Sequence, residues 1–436
     1  MNIIDEITQN QVTKQPEAID AYPEHHALWF LDAVGIFDHA YSQDSTAWDA
    51  AASNEPVTVA LIDTPVAWDH PCLQEAVDRV RMIDFSVDPK GQFPVPLGLL
   101  SEPEQAQRTK LLQELGRVGE EQPADTAARP ALSGHGTAMA GLIGGRPKAI
   151  RLQVNARYGR AAATLAEADE RGVTLPYAGV NPFCRIVPIS TTSDPDPLLL
   201  KNAFDYATRI GADVIVFATS LIAPGDVMKL APPTSGGVDD DRYTAEKDAR
   251  VALEKAIIGA SANAWVVCAA GNSGRSEPDY PASLSDENTQ IVAVGALTSD
   301  NLQAPYSSGA DVWGPSNDEE GFDTDSSRRD RYRHSPQGWP KIVAGQRDRE
   351  VSVFDLVTTD VPGPFGYNPA TTKYIPGAGA VHQEIGSLFC RFGGTSGATA
   401  VVAGLIALKL QTGKSVGVAK KGPKRLLTLQ DLDPPV

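Results

Sequence analysis

Several apolar runs in this chain end in, or lead out of, residues able to do chemistry together. VALIDTP carries Asp63, SGHGTAMAG sets His135 between Gly134 and Gly136, and FGGTSGATA places Ser396 at a Gly-rich entry to a long apolar run. Each has an ordinary reading by itself: a turn aspartate, a turn histidine, an N-cap serine. Together they supply the parts of a nucleophilic relay. A hydroxyl is a weak nucleophile at neutral pH and needs a base within hydrogen-bond reach. An imidazole serves as that base when a carboxylate fixes its tautomer and stabilises the imidazolium. A fourth stretch, CAAGNSG, sets Asn272 just past an apolar run, flanked by Gly271 and Gly274. Its side-chain amide can donate to a developing oxyanion, together with a backbone N–H near Ser396. The chemistry is acyl transfer. Ser396 would be the nucleophile, His135 the general base and acid, and Asp63 the group that orients His135.

These residues need a rigid frame. Val57–Asp63, Ala212–Ser220, Ala264–Gly271 and Ile291–Leu297 are short β-rich apolar runs of the kind buried in parallel sheets. Helical patterns lie between them, at Ala203–Gly211 and Tyr243–Ala262. Strands alternating with helices predict an α/β protein with a mostly parallel central sheet flanked by helices. Two regions break the rhythm. Residues 84–131 are rich in Pro, Glu and Gln, with a helix expected around Arg108–Val118. Residues 314–390 carry an acidic stretch, Asp318–Asp325, followed by the basic Arg328–His334. The expected organisation is an N-terminal extension at 1–26, a catalytic domain at 27–412 with those two insertions, and a loosely packed tail at 413–436.

Composition narrows the function classes. Of 436 residues, 38 are basic and 55 acidic, a net charge of −17 that argues against nucleic acid and anionic membranes as partners. With 42% hydrophobic residues a sizeable core is within reach. Cys72, Cys184, Cys268 and Cys390 are far apart, so buried apolar cysteines are expected rather than a disulfide framework or a zinc site. The N-terminus lacks a basic start followed by an apolar run, and Val401–Leu410 is too short to span a bilayer. The expected location is the cytoplasm.

The order Asp63, His135, Ser396, with Asn272 between the last two, resembles the subtilisin-like serine proteases, the subtilases. VALIDTPVAWDHPCL is similar to the family's aspartate motif, with His70-Pro71 matching its following His-Pro. SGHGTAMAG resembles the histidine motif, FGGTSGATAVVAG the serine motif, and Ala269–Ser308 the oxyanion-asparagine region. The resemblance runs from about Trp29 to Leu410 and implies a three-layer α/β subtilisin-like fold. Pro65 stands where the family has Gly, and it restricts Thr64 to extended conformations that suit a strand end. Ala400 and Val401 replace Pro-His after the nucleophile. Ala212–Leu221 lacks a clean match to the family's substrate strand, and nothing before Asp63 resembles an inhibitory propeptide.

The resemblance implies a serine endopeptidase acting on a peptide or protein substrate through an acyl-enzyme, without a catalytic cofactor. Structural calcium often braces the family's fold, and the acidic run Asp318–Asp325 could bind it. Control is expected from the insertions or from a regulatory protein partner. Two alternatives stand beside it: a peptide ligase or macrocyclase using the same triad, and a catalytically silent scaffold whose insertions bind a protein partner.

Overall fold

A computed structural model describes residues 28–38, 44–86, 88–117, 134–150, 173–175, 177–226, 238–318, 354–362, 367, 373–375, 379–381 and 388–434. The N-terminal extension and most of the stretch from Glu319 to Ser387 lie outside them. Helices α1 (Trp29–Ala33) and α2 (Thr46–Ala52) precede β1 (Thr58–Asp63) and β2 (Ile83–Asp84). After α3 (Glu102–Glu114) and α4 (Gly134–Gly144) come β3 (Lys148–Ile150), β4 (Val173–Leu175) and β5 (Arg185–Ser190). The chain continues through α5 (Pro197–Arg209), β6 (Val214–Phe217), α6 (Val238–Ala260), β7 (Trp265–Ala269), β8 (Ile291–Leu297) and β9 (Val312–Pro315). Strands β10 (Leu356–Thr359), β11 (Lys373–Ile375), β12 (Gly379–Val381) and β13 (Phe389–Phe392) lead to α7 (Gly394–Gln411).

Seven strands form one parallel sheet in the order β2-β5-β1-β6-β7-β8-β9. Side chains alternate between its faces with period two. On β1, Val59 and Leu61 join the core of α4 and α7, whereas Ala60 and Ile62 join the core of α5 and α6. The result is three layers. Helix α7 is buried almost throughout, as its apolar run Ala400–Leu408 requires. Strand β1 lies between β5 and β6, where the strand order reverses, so Asp63 at its carboxyl end faces the crevice where open α/β sheets bind ligands.

Several boundaries differ from expectation for local reasons. Helix α5 begins at Pro197 because the Asp196 carboxylate accepts from the Leu198 and Leu199 N–H groups at 2.8 and 3.3 Å. Helix α3 begins at Glu102, well before Arg108, where the Glu104 carboxylate accepts from the Ser101 backbone at 2.8 Å. Arg108 lies in its middle, buried, and donates to the Val80 and Arg79 carbonyls at 2.6 Å each. That pair docks this part of the 84–131 insertion onto the domain.

The tail is not loosely packed. Its residues to Pro434 turn back onto the domain, where Leu426 bridges Trp313 at the sheet edge and the Leu429 N–H donates to the Val34 carbonyl at 2.9 Å. Leu432 is fully buried, and Asp433 accepts from the buried Lys409 Nζ of α7 at 2.5 Å. The segment thereby covers an edge that would otherwise offer unpaired backbone groups.

All four cysteines are free and buried, and desolvation pushes the thiols of Cys72, Cys184 and Cys268 up to about 12. Among the described residues, no helix is long and apolar enough to cross a membrane.

Candidate active site

The end of β1 and the start of α4 meet at the carboxyl edge of the sheet. Asp63 closes β1, and its carboxylate accepts the Thr64 N–H at 2.7 Å. Pro65 leaves that carboxylate in reach of the imidazole. His135 is the second residue of α4, and its Nδ1 lies 2.8 and 2.9 Å from the two Asp63 carboxylate oxygens. A carboxylate can only accept, so Nδ1 carries the proton and a neutral ring keeps its lone pair on Nε2.

Close approach explains the glycine after the histidine. A Cβ on Gly136 would lie 2.0 Å from the Thr64 carbonyl oxygen, while the Gly136 N–H donates to Thr64 Oγ1 at 3.0 Å. At the next residue, Thr137 Oγ1 accepts the Ala67 N–H at 3.0 Å. The start of α4 is thus fastened to the segment that follows Asp63.

Ser396 lies in the first turn of α7 and is buried to 8% exposure. Asn272 follows β7, and its Oδ1 accepts from the Thr395 N–H at 2.9 Å and from Thr395 Oγ1 at 2.8 Å. Since a backbone N–H can only donate, this contact fixes the amide: oxygen toward Thr395, NH₂ the other way. Thr395 Oγ1 also accepts the Gly271 N–H at 3.2 Å. The end of β7 and the start of α7 are therefore joined through the residue beside Ser396.

Among the described residues, no hydrogen bond joins Ser396 to His135. Of the residues expected to form a relay, Asp63 and His135 are in direct contact, and Ser396 stands at the start of α7. Apo sites commonly hold the serine–histidine contact loose until substrate binds. The two halves are instead related through β13. The Phe392 ring packs edge-on to His135 at 5.2 Å, and lies 3.6 Å from where a Cβ on Gly397 would stand. Strand β10 pairs antiparallel with β13, and its Thr358 and Thr359 hydroxyls donate to the Ala138 and Thr137 carbonyls of α4 at 2.7 Å each.

His70, matched in sequence only as part of a motif, has a structural place. Its Nδ1 accepts the Cys72 N–H at 3.0 Å and its Nε2 donates to the Leu388 carbonyl at 2.8 Å, one residue before β13. Burial lowers its pKa from 6.5 to about 4, so it is neutral at physiological pH. Of the acidic run, only Asp318 is among the described residues. Those residues hold no group of three His, Cys, Asp or Glu side chains able to bind a metal.

The subtilase family profile matches residues 54–421, and the chain belongs to that family. It is a serine-type peptidase of subtilisin-like fold. No curated protein matches it. Among solved structures it is similar to the nisin leader peptidase of Lactococcus lactis, with 16% identity over 92% of both chains and a TM-score of 0.49. It is also similar to the epidermin leader peptide processing serine protease of Staphylococcus aureus, with 16% identity over 91% of this chain and 73% of that one, at 0.48. A macrocyclase domain, PatG, shows 17% identity over 93% and 86%, at 0.41. Likenesses this low say nothing of substrate.

Proposed function

We propose that the protein is an endopeptidase whose nucleophile is Ser396. His135 takes the Ser396 proton through Nε2 as the hydroxyl attacks a peptide carbonyl, then returns it to the leaving amine. Asp63 holds the ring in the required tautomer and stabilises the imidazolium. The Asn272 NH₂ and a backbone N–H of the α7 turn receive the oxyanion, and water then hydrolyses the acyl-enzyme. The observation that carries this reading is the double contact of His135 Nδ1 with Asp63, since it leaves Nε2 as the basic nitrogen.

Product masses from a peptide library test it. Cleaved peptides with free new termini are expected, whereas joined or cyclic products would identify a ligase. Ser396→Ala and His135→Ala should each lower kcat by about 10⁶-fold, a loss of the size known for a subtilisin. The double variant should be little worse, because the members act as a unit. Additive losses would count against a shared mechanism.

A further inference from the structure

The turn that carries Ser396 is held from behind by residues that enter at the end of β9. Gly394 has a φ of +70°, in the left-handed region, and both of its backbone groups are taken. Its N–H donates to Asn317 Oδ1 at 3.2 Å, and its carbonyl accepts from Ser316 Oγ at 2.8 Å. Asn317 is buried, and its Oδ1 also accepts the Tyr306 hydroxyl at 2.8 Å. Its Nδ2 donates to Asp355 Oδ1 at 3.0 Å, across 38 positions of sequence. These partners leave the amide one orientation, oxygen toward Gly394 and nitrogen toward Asp355.

Gly393 records how tightly this is built. A Cβ there would lie 2.2 Å from the carbon, oxygen and nitrogen of the Asn317 amide. The first N–H groups of a helix have no partner within it. On α7, the Gly394 N–H is met by Asn317 and the Thr395 N–H by Asn272. Beyond Asn317 the contacts continue. Asp355 immediately precedes β10, whose Thr358 and Thr359 bond to the α4 backbone two and three residues past His135. One chain of contacts thus runs from the Ser396 turn to the His135 helix.

We propose that Asn317 is a positioning residue, which sets Ser396 relative to His135 by tying the Gly394 amide to Asp355 at the root of β10. This rests on Ser396 being the nucleophile. Ser396 and His135 stand on different helices, α7 and α4, so their separation depends on such scaffolding. Misplacement of a reacting group by about 1 Å can cost about 10²-fold in rate.

The test reads the rate at which a fluorophosphonate labels Ser396 in the full chain, with thermal unfolding followed in parallel. Asn317→Asp keeps an acceptor for Gly394 but sets a carboxylate against Asp355. Labelling should slow by about 10- to 100-fold, with the midpoint of its pH dependence unchanged because Asp63 and His135 are untouched. Asp355→Asn retains an acceptor and should stay within about 3-fold of wild type, below the scale of such misplacement. Joining the two changes reverses donor and acceptor, so the double variant should return to within about 3-fold of wild type. Gly393→Ala displaces the amide by a different route and should slow labelling by about 10-fold or more. Wild-type rates in folded Asn317→Asp or Gly393→Ala, or a folded double variant no faster than Asn317→Asp, would overturn the positioning role. A folded wild type that takes no label would instead overturn Ser396 as nucleophile.

Discussion

At the scale of single residues, what matters is which atom can donate. Asp63 accepts from Thr64 and from His135 Nδ1, so its charge is spent on orienting one ring. Asp63→Asn would set an NH₂ at one of the two positions that now accept from that nitrogen, and an NH₂ donating to Nδ1 favours the wrong tautomer. Steady-state kinetics should show kcat lower by about 10⁴-fold with little change in KM. Loss in KM alone would mean that Asp63 serves substrate binding. Asn272→Ala removes the NH₂ whose direction Thr395 fixes, and kcat should fall by about 10²- to 10³-fold. The candidates Asp63, His135, Asn272 and Ser396 were legible because each ends or starts an apolar run, the last three within a Gly-rich frame. His70, Asn317 and Thr358 were not legible as site supports, because their partners lie far off in sequence: His70 meets Leu388 across 318 positions, and Thr358 meets Ala138 across 220. Nothing local announces such contacts.

At the scale of elements, the ribbon of β10 and β13 links the helices that carry His135 and Ser396. It lies on α4, it runs into α7, and His70 holds its inner end at Leu388. The buried neutral imidazole makes that attachment sensitive to acid. An unfolded histidine takes up a proton near pH 6.5, whereas the folded one resists until about 4. The unfolded state therefore binds more protons between those values, and stability falls as pH drops through that window. The loss from this group levels off below about pH 4, at a total of about 3 kcal/mol. Urea titrations at several pH values should show this slope, and His70→Gln should remove it. An unchanged slope in that variant would place the acid sensitivity elsewhere. Strand β5 shows why one element escaped the sequence. Pro188 sits in its middle, where a proline argues against a central strand. Ile186 uses its N–H and carbonyl on the outer side, toward Ala76 and Asp78, and alternation turns Pro188 the same way. The β2 ladder begins only at Ile189, so no strand partner is missing its donor.

At the scale of the whole molecule, a parallel sheet with a core on each face brings four separated segments to one edge. That architecture was legible from the alternation of strands and helices, because strands buried on both faces read as continuous apolar runs. The packing of the tail was not legible, because its basic, Pro-containing sequence has no periodicity, yet its few apolar residues find ready-made sites along α1, β9 and α7. Leu432→Ala should therefore cost about 2–5 kcal/mol in a denaturant titration, where a loose extension would cost nothing. The proposed function requires that Ser396 be a nucleophile activated by His135. Intact-mass and peptide-level spectrometry of the folded chain after fluorophosphonate treatment tests it most directly. One adduct on Ser396 is expected, greatly slowed in His135→Ala and absent in Ser396→Ala. A folded wild type that takes no adduct, or an adduct that persists in Ser396→Ala, would contradict it.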